Sequence, residues 1–248
     1  MSGCRRINMW SGPRNVSTAM MYAWRQRSDT TVWDEPMYGH YLAHTGVEHA
    51  VKEEILAAVP TGREEIIDLI LHRPCPTPVW FYKNMAHHLV GFEMATVDEL
   101  DGFLLTRGPR EMLPSLAIGL GRKPEMSDTG FDLQVAILDR WLAAGRKPIV
   151  VDSRALLTDP RRVLTALCER LGLPFEEAML SWPAGPKPED GVWAAHWYAS
   201  AHASTGFAPY RPKADPFPAD LAQIYAECAP LYERLLEHAI GVSPGNTP

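Results

Sequence analysis

Short apolar runs alternate along the chain with longer segments in which apolar residues recur every three to four positions. The short runs predict β-strands at 5–10, 30–34, 79–83, 102–106 and 149–152. The periodic segments predict helices at 15–26, 47–58, 63–71, 111–121, 128–144, 160–171 and 219–240. Strands that alternate with helices are typical of a parallel sheet covered on both faces, so the pattern predicts an α/β fold.

Residues that favour helix ends refine this prediction in two places. Thr61 followed by Glu64 predicts a capping box at the start of 63–71. Pro230 predicts a kink within the last helix, because proline removes a backbone donor. Residues 181–218 are rich in proline, glycine, tryptophan and histidine and show no period. We therefore predict no regular element there.

The composition of the 248 residues is that of an ordinary globular chain, with 46% hydrophobic and 22% charged residues. It excludes a largely disordered chain. The chain contains no run of about 18 uncharged apolar residues, so we expect no membrane association. A net charge of −6 argues against a nucleic-acid partner, and is compatible with a local basic pocket.

The cysteines are widely spaced and form no CxxC pair; they are Cys4, Cys75, Cys168 and Cys228. This spacing favours neither a zinc knuckle nor a disulfide framework. The first ten residues also lack the apolar stretch of a secretory signal. We therefore expect a protein of a reducing compartment, the cytoplasm.

A polar loop, Ser11-Gly12-Pro13-Arg14-Asn15-Val16-Ser17-Thr18, follows the first predicted strand and opens a helix. Such a loop presents backbone N–H groups and the positive end of the helix dipole, which suit a phosphate. Arg14 adds a cation, and two hydroxyls follow it. The Gly-Lys pair of a Walker A loop is missing. The alternative is a plain strand–helix turn.

A second candidate anion site follows the fourth predicted strand. Arg107 stands at the strand end, and Ser115 lies in the helix that comes next. A guanidinium and a hydroxyl so placed are able to converge on one anion. The alternative is that Arg107 is a solvated loop charge and Ser115 an ordinary helix residue.

The two loops together resemble those of the sulfotransferases that use 3′-phosphoadenosine 5′-phosphosulfate (PAPS). Further similar segments are Ile149–Ser153, Asp159-Pro160, Leu171-Gly172-Leu173 and the last helix with Tyr225, Tyr232 and Leu235. The resemblance covers about 5–240. It is strongest to bacterial chains that contain the motif SGPRNVSTA…DEP. These chains also resemble the sulfotransferase-like part of plant chains labelled aminotransferase-like.

The resemblance implies a three-layer fold of the kind found in P-loop nucleotide hydrolases, as one sulfotransferase domain over 1–248. PAPS would be the co-substrate, with no metal required, and a small molecule or a glycan the acceptor. Residues 36–78 and 181–213 match the family least and would shape the acceptor pocket. Arg107 and Ser115 would bind the 3′-phosphate. Arg14 would stabilise the leaving phosphate and would also help to bind the 5′-phosphosulfate. The loop residues that would bind the 5′-phosphosulfate are Gly12, Pro13, Arg14, Asn15, Val16, Ser17 and Thr18.

The sequence departs from the family in three places. The loop lysine of the better-known enzymes is Arg14 here, which keeps the charge and changes its geometry. The loop glycine is Val16, which has less backbone freedom. The C-terminal R-K-G phosphate loop is not visible, and the nearest candidate is 204–207 with Arg211 and Lys213.

The resemblance also suggests residues for the chemistry. Glu35, after the second strand, corresponds in place to the catalytic glutamate of the glycan-modifying branch; the alternative is a surface strand end. Lys83 matches the lysine that assists the leaving group in the steroid- and phenol-modifying branch. The histidine of that branch is Met85 here, so His87 or His88 would supply the imidazole. We name Glu35, Lys83 and His87 as catalytic candidates beside the loop arginine.

Other interpretations remain open at this point. His40, His44 and His49 match no familiar metal-ligand spacing and favour a polar helix face. A small-metabolite kinase would use Asp152 as a magnesium ligand, but it would need the missing Gly-Lys pair. A third candidate is a nucleotide-binding protein without transfer activity. We find no lysine in a setting that favours a pyridoxal phosphate aminotransferase.

Overall fold

The computed structural model describes residues 3–47, 51–213 and 215–241. Its strands form one parallel sheet in the order β2-β3-β1-β4-β5, which confirms the predicted α/β fold. The strands are β1 (Arg5–Ser11), β2 (Thr30–Asp34), β3 (Val79–Met85), β4 (Asp101–Thr106) and β5 (Val150–Asp152).

Helices separate these strands along the chain. The α-helices are α1 (Ser17–Arg25), α2 (Tyr38–Thr45), α3 (Lys52–Ala58), α4 (Arg63–Leu71), α5 (Pro109–Leu120), α6 (Met126–Thr129), α7 (Phe131–Ala143), α8 (Ser153–Thr158), α9 (Pro160–Arg170), α10 (Ala194–Trp197), α11 (Ala199–His202) and α12 (Ala222–Leu236). Short 3-10 helices occur at Ala86–Leu89, Met94–Asp98, Glu177–Leu180 and Ala219–Leu221.

The chain divides into two compact units, each assembled from separate stretches of sequence. The first unit comprises Met1–Met9, Ser17–Gly102 and Glu176–Phe207. The second comprises Trp10–Val16, Phe103–Phe175 and Ala208–Pro248. A single domain over 1–248 therefore stays a prediction, and the two units are described separately.

The core of the first unit contains β2 and β3, which pair from Thr30 opposite Val79 to Asp34 opposite Lys83. All seven residues of β3 are buried, as expected of a strand covered on both faces. A second apolar cluster surrounds α2 and α3 and includes residues from α10 and its flanks; its buried members are Tyr38, Leu42, Ile55, Trp193, Ala194 and Tyr198. This cluster brings the stretch after 190 to the end of β2.

In the second unit, β4 and β5 pair with Thr106 opposite Asp152. The Gln134 side chain of α7 is fully buried and donates to the carbonyls of Trp10 and Leu105, at 3.0 and 2.9 Å. These bonds tie α7 to the end of β4 and to residue 10, just ahead of the loop that precedes α1.

Several predicted helices differ from the observed ones. The predicted helix 128–144 is interrupted at Gly130, whose φ of 73° ends α6 and begins α7. The capping box at Thr61 is wrong, because Gly62 is the N-cap of α4 and makes no side-chain cap bond. The predicted helix 47–58 is observed as Lys52–Ala58, and 48–50 lie outside the described residues. Residues 181–218 contain α10 and α11, which the sequence pattern did not predict.

The structure contains a disulfide, although the cysteine spacing favoured no disulfide framework. Cys4 and Cys75 are joined, with their Cα atoms 6.1 Å apart, within the normal range for a disulfide. Cys168 and Cys228 are buried and are not disulfide-bonded. Within the described ranges, no helix is both long and apolar enough to cross a membrane.

Candidate active site

The loop between β1 and α1 is held in place by the Asn15 side chain. The Asn15 amide donates to the carbonyl of Leu105 at 2.9 Å. Its Oδ1 accepts from the Val16 N–H at 2.8 Å and from the Ser153 hydroxyl, which also donates to the carbonyl of Thr106 at 2.6 Å. Asn15 therefore fixes the loop backbone, which the sequence interpretation did not assign to it.

Arg14 contacts both Arg107 and Ser115, and the binding of a 3′-phosphate by Arg107 and Ser115 stays a prediction. Arg14 Nε donates to Ser115 Oγ at 3.0 Å, and Arg107 Nη1 donates to the Arg14 carbonyl at 2.7 Å. Arg14 itself is exposed and has a φ of 50°, a left-handed conformation that costs a non-glycine residue energy and is common at functional sites. Two cations thus converge on one loop.

A carboxylate shares this cluster with Arg107. Glu111 Oε2 lies 3.5 Å from Arg107 Nε, one helical turn away in α5. The Tyr210 hydroxyl donates to Glu111 Oε1, and Lys213 Nζ donates to the Glu111 carbonyl at 3.2 Å. Arg107 is therefore an ion-paired residue, and a bound phosphate would compete with Glu111 for its guanidinium. No motif in the sequence pointed to Glu111 as a competitor.

A small pocket opens beside the loop within the second unit. It is lined by Gly12, Pro13, Asn15, Thr106, Arg107, Met112, Thr129, Phe131 and Gln134. Of the loop residues predicted to bind phosphate, Gly12, Pro13 and Asn15 line this pocket, and Arg14, Val16, Ser17 and Thr18 do not. Ser17 and Thr18 belong to the first unit as the first residues of α1, where Ser17 is buried and Thr18 is half-buried. Their predicted phosphate contacts stay predictions.

Lys83 lies at the centre of a buried ionic cluster in the first unit. Its side chain is 1% exposed. The ammonium donates to Asp34 Oδ1 at 2.8 Å, to the Tyr198 hydroxyl at 2.8 Å and to Glu35 Oε1. An ammonium has three donors, and all three are used. Lys83 is therefore built to hold the two carboxylates, and its predicted direct contact with a leaving group stays a prediction.

Glu35 follows β2 directly and is only 8% exposed, so it is not a surface strand end. Its N–H donates to the Lys83 carbonyl at 2.7 Å, and its φ of 43° is left-handed. Burial raises the pKa of this carboxyl and the Asp34 charge raises it further, while the Lys83 ammonium opposes both. A carboxylate with a raised pKa suits a general base.

The structure places His88, and not His87, beside Glu35. His88 is buried, and its Nδ1 lies 3.9 Å from Glu35 Oε2. The His88 ring also stacks on Tyr38, with centroids 4.8 Å apart. The His87 ring contacts Tyr41 at 5.1 Å. The catalytic role of His87 stays a prediction, and His88 is the better placed imidazole.

The other polar groups singled out in the sequence have structural partners. His40 Nδ1 lies 3.0 Å from the Thr61 carbonyl, and its ring stacks on His44; His49 lies outside the described residues. No group of three metal-ligating side chains occurs in the part of the chain that the structure describes.

Asp152 is the N-cap of α8, which the sequence pattern missed. Its Oδ1 accepts from the Ala155 N–H at 2.9 Å, and its Oδ2 accepts from the Tyr232 hydroxyl at 2.9 Å. Burial raises the pKa of the Asp152 carboxyl. Both oxygens therefore serve the fold, which removes the observation that favoured a kinase.

Comparison with known proteins identifies the family. The sulfotransferase domain model matches residues 5–239. Two Arabidopsis thaliana proteins, branched-chain-amino-acid aminotransferase-like proteins 2 and 1, are 35% and 34% identical over 233 residues, 94% of this chain. The matches cover 41% and 42% of those proteins, so the chain spans less than half the length of these curated relatives.

Two solved structures share the fold. The sulfotransferase domain from the curacin biosynthetic pathway matches with a TM-score of 0.54 at 14% identity, over 92% of this chain and 98% of that one. The sulfotransferase from Alicyclobacillus acidocaldarius matches with a TM-score of 0.50 at 14% identity, over 96% of both chains. Since the family model covers nearly the whole sequence, the chain belongs to the sulfotransferase domain family, a family of transferases.

Proposed function

We propose that this chain transfers a sulfuryl group from PAPS to a hydroxyl or amine of a small molecule or glycan. The observation that carries the proposal is the convergence of Arg14, Arg107 and Ser115 beside the loop pocket. Arginine suits phosphate because its planar donors match the oxygen geometry. Arg107 lines the pocket and bonds to Arg14, which in turn bonds to Ser115. Two arginines and a hydroxyl linked in this way favour a ligand with more than one phosphate group.

The second unit would bind the donor nucleotide. The donor supplies a sulfuryl group whose sulfur–oxygen bond to the phosphate breaks as a new bond to the acceptor forms. Arg14 and the N–H groups of its loop would stabilise the negative charge on the leaving phosphate. Arg107 and Ser115 would bind the second phosphate, with Glu111 displaced from the guanidinium. A reaction without metal stays part of this proposal.

The first unit would supply the base that accepts the acceptor's proton. As the acceptor oxygen or nitrogen bonds to sulfur, its proton passes to a Glu35 oxygen. Glu35 is suited to this because its pKa is raised and one of its oxygens accepts from Lys83. Lys83 and the buried surroundings keep the carboxylate in a single orientation. We propose the acceptor only as a hydroxyl or amine of a small molecule or glycan.

The location of the protein also stays a proposal. The sequence favours the cytoplasm, whereas the disulfide between Cys4 and Cys75 is of a kind found mostly in oxidising compartments. The aminotransferase-like label belongs to the longer plant relatives, of which this chain matches less than half.

Ligand-induced thermal stabilisation tests the proposed function directly. We expect adenosine 3′,5′-bisphosphate to raise the melting temperature of the chain, because a ligand that binds only the folded state stabilises it. ATP with magnesium is expected to give a much smaller shift. Stabilisation by ATP–magnesium alone would contradict the proposal and favour a kinase. Tight bisphosphate binding with no transfer to phenols, alcohols, sugars or amines would favour a binding protein.

Replacing Arg107 with alanine is expected to weaken adenosine 3′,5′-bisphosphate binding by about 10- to 100-fold, since a charge-assisted hydrogen bond contributes about 1.5–3 kcal/mol. Adenosine 5′-phosphate, which lacks the second phosphate, should lose much less. Isothermal titration of both ligands measures the difference. Arg110→Ala, an exposed arginine three positions later at the start of α5, is the matched control. Equal losses for the two ligands would mean that Arg107 does not recognise the 3′-phosphate.

A further inference from the structure

The Asp34 carboxylate is surrounded by donors. Its Oδ1 accepts from Lys83 Nζ at 2.8 Å. Its Oδ2 accepts from the Tyr198 hydroxyl at 2.8 Å and from the Gly191 N–H at 3.2 Å. The side chain is 1% exposed. The two oxygens of Asp34 thus accept from an ammonium, a phenol hydroxyl and a backbone N–H, which together fix the orientation of this carboxylate.

The Tyr198 hydroxyl fixes the direction of these bonds. Its oxygen accepts from Lys83 Nζ at 2.8 Å and from the Trp193 indole N–H at 3.1 Å. Both of its lone pairs are used, so its single proton points to Asp34. The residue is 5% exposed and packs in the cluster around α2 and α3. Tyr198 therefore holds Asp34 and Lys83 together from a distant part of the sequence.

Glu35 is bound differently from Asp34. Its Oε1 accepts from Lys83, and His88 Nδ1 lies 3.9 Å from its Oε2, too far for a hydrogen bond. Asp34 has two further donors beside Lys83. The bonds that fix the two carboxylates therefore differ, and Asp34 is the more firmly held of the pair.

We propose that Asp34 and Tyr198 are positioning residues of the site, which together bind the Lys83 ammonium and leave Glu35 as the carboxylate that exchanges its proton with the acceptor. The inference rests on the proposed function, in which Glu35 is the base. It explains why two adjacent carboxylates have different roles. Asp34 neutralises Lys83, and Tyr198 prevents Asp34 from releasing it.

The titration of Glu35 depends on every charged or titratable group around it. Lys83 faces it from β3, Asp34 from β2 and His88 from the 3-10 helix Ala86–Leu89. Tyr38 of α2 and Tyr198 are also coupled to its charge, and burial raises the pKa of both phenols. Of the carboxylates and cations, Asp34 raises and Lys83 lowers the pKa of Glu35.

A carbon-13 NMR titration of the glutamate carboxyls in the full chain tests the proposal without any substrate. The Glu35 signal is assigned by its loss in Glu35→Gln. We expect Asp34→Asn to lower the pKa of Glu35 by about one unit or more, because a nearby like charge has been removed. Tyr198→Phe should lower it by less, since Asp34 is freed and Lys83 turns toward Glu35. The double variant should match Asp34→Asn alone, because Tyr198 acts through Asp34.

The control is Tyr82→Phe, at the residue just before Lys83. It removes a buried hydroxyl that donates to the Ile70 carbonyl at 2.9 Å. It should leave the titration of Glu35 unchanged. An unchanged Glu35 pKa in Asp34→Asn, or equal additive shifts in the double variant, would overturn the proposal. If Asp34→Asn does not fold by circular dichroism, Tyr198→Phe decides alone. If the wild-type chain binds no bisphosphate, the proposed function is refuted. The NMR titration of Glu35 can still be measured, because it uses no ligand.

Discussion

Glu35→Gln is expected to lower the kcat of sulfuryl transfer by about 100- to 10,000-fold, the usual contribution of a general base. The amide keeps the shape of the carboxylate and an oxygen that accepts from Lys83, so the buried cluster stays intact. What is lost is the ability to take the acceptor's proton. The measurement is the release of adenosine 3′,5′-bisphosphate from PAPS in the presence of an acceptor that the wild-type chain modifies.

The same substitution should leave nucleotide binding unchanged, because Arg14 and Arg107, the residues proposed to bind phosphate, belong to the second unit. Glu53→Gln, on the exposed face of α3, is the matched control and should retain full activity. In the wild-type chain, activity should fall as the pH drops through the raised pKa of Glu35. A Glu35→Gln variant with near-normal kcat would eliminate Glu35 as the base.

Lys83→Met is expected to destabilise the fold by about 3–5 kcal/mol near neutral pH, because removing one partner leaves buried carboxylates without a counter-charge. Asp34 and Glu35 are both almost fully buried. Methionine retains most of the apolar volume of the lysine stem, so the loss reports the charge. Urea denaturation followed by circular dichroism measures it. Lys147→Met, at an exposed position, is the control and should change stability little.

The pH dependence of this loss has a definite sign. The folded-state pKa of Glu35 lies above its unfolded value and rises further without Lys83, which lowers it in the wild-type chain. Protonation therefore favours the folded variant, and this stabilisation disappears as the pH rises through the folded pKa. The deficit should be smaller at pH 5 than at pH 8, and Asp34→Asn should recover part of it. An equal deficit at both pH values would show that the lost lysine contributed packing alone.

The strands were the most predictable part of the fold. Thr30–Asp34 was predicted to the residue, because a strand buried in a parallel sheet is a short continuous apolar run between turn residues. Lengths and breaks of helices were less predictable. Gly130 interrupts a periodic segment without disturbing its period, so the pattern continues across the break between α6 and α7. The six-residue helix α8 is too short to show a period at all.

The candidate residues were named from short segments and from the family resemblance. Glu35 follows β2 and Lys83 lies within β3, whereas Arg14 and Arg107 lie in the loops after β1 and β4 and Ser115 in α5. The partners of these residues were not named. Asp34 becomes a partner of Lys83 only through the register of β2 with β3, and strand order is not encoded locally. Tyr198 lies 115 residues from Lys83, in a stretch without a period.

The discontinuity of the first unit also affects how the chain is made. Asp34 and Lys83 are synthesised before Tyr198 and Trp193, which belong to the returning stretch Glu176–Phe207. The 115 residues between Lys83 and Tyr198 take roughly 6 to 23 seconds at a translation rate of about 5–20 residues per second. During that interval the lysine and its carboxylates lack the hydroxyl that completes their burial. The buried ionic cluster around Lys83 is therefore complete only after Trp193 and Tyr198 have been synthesised.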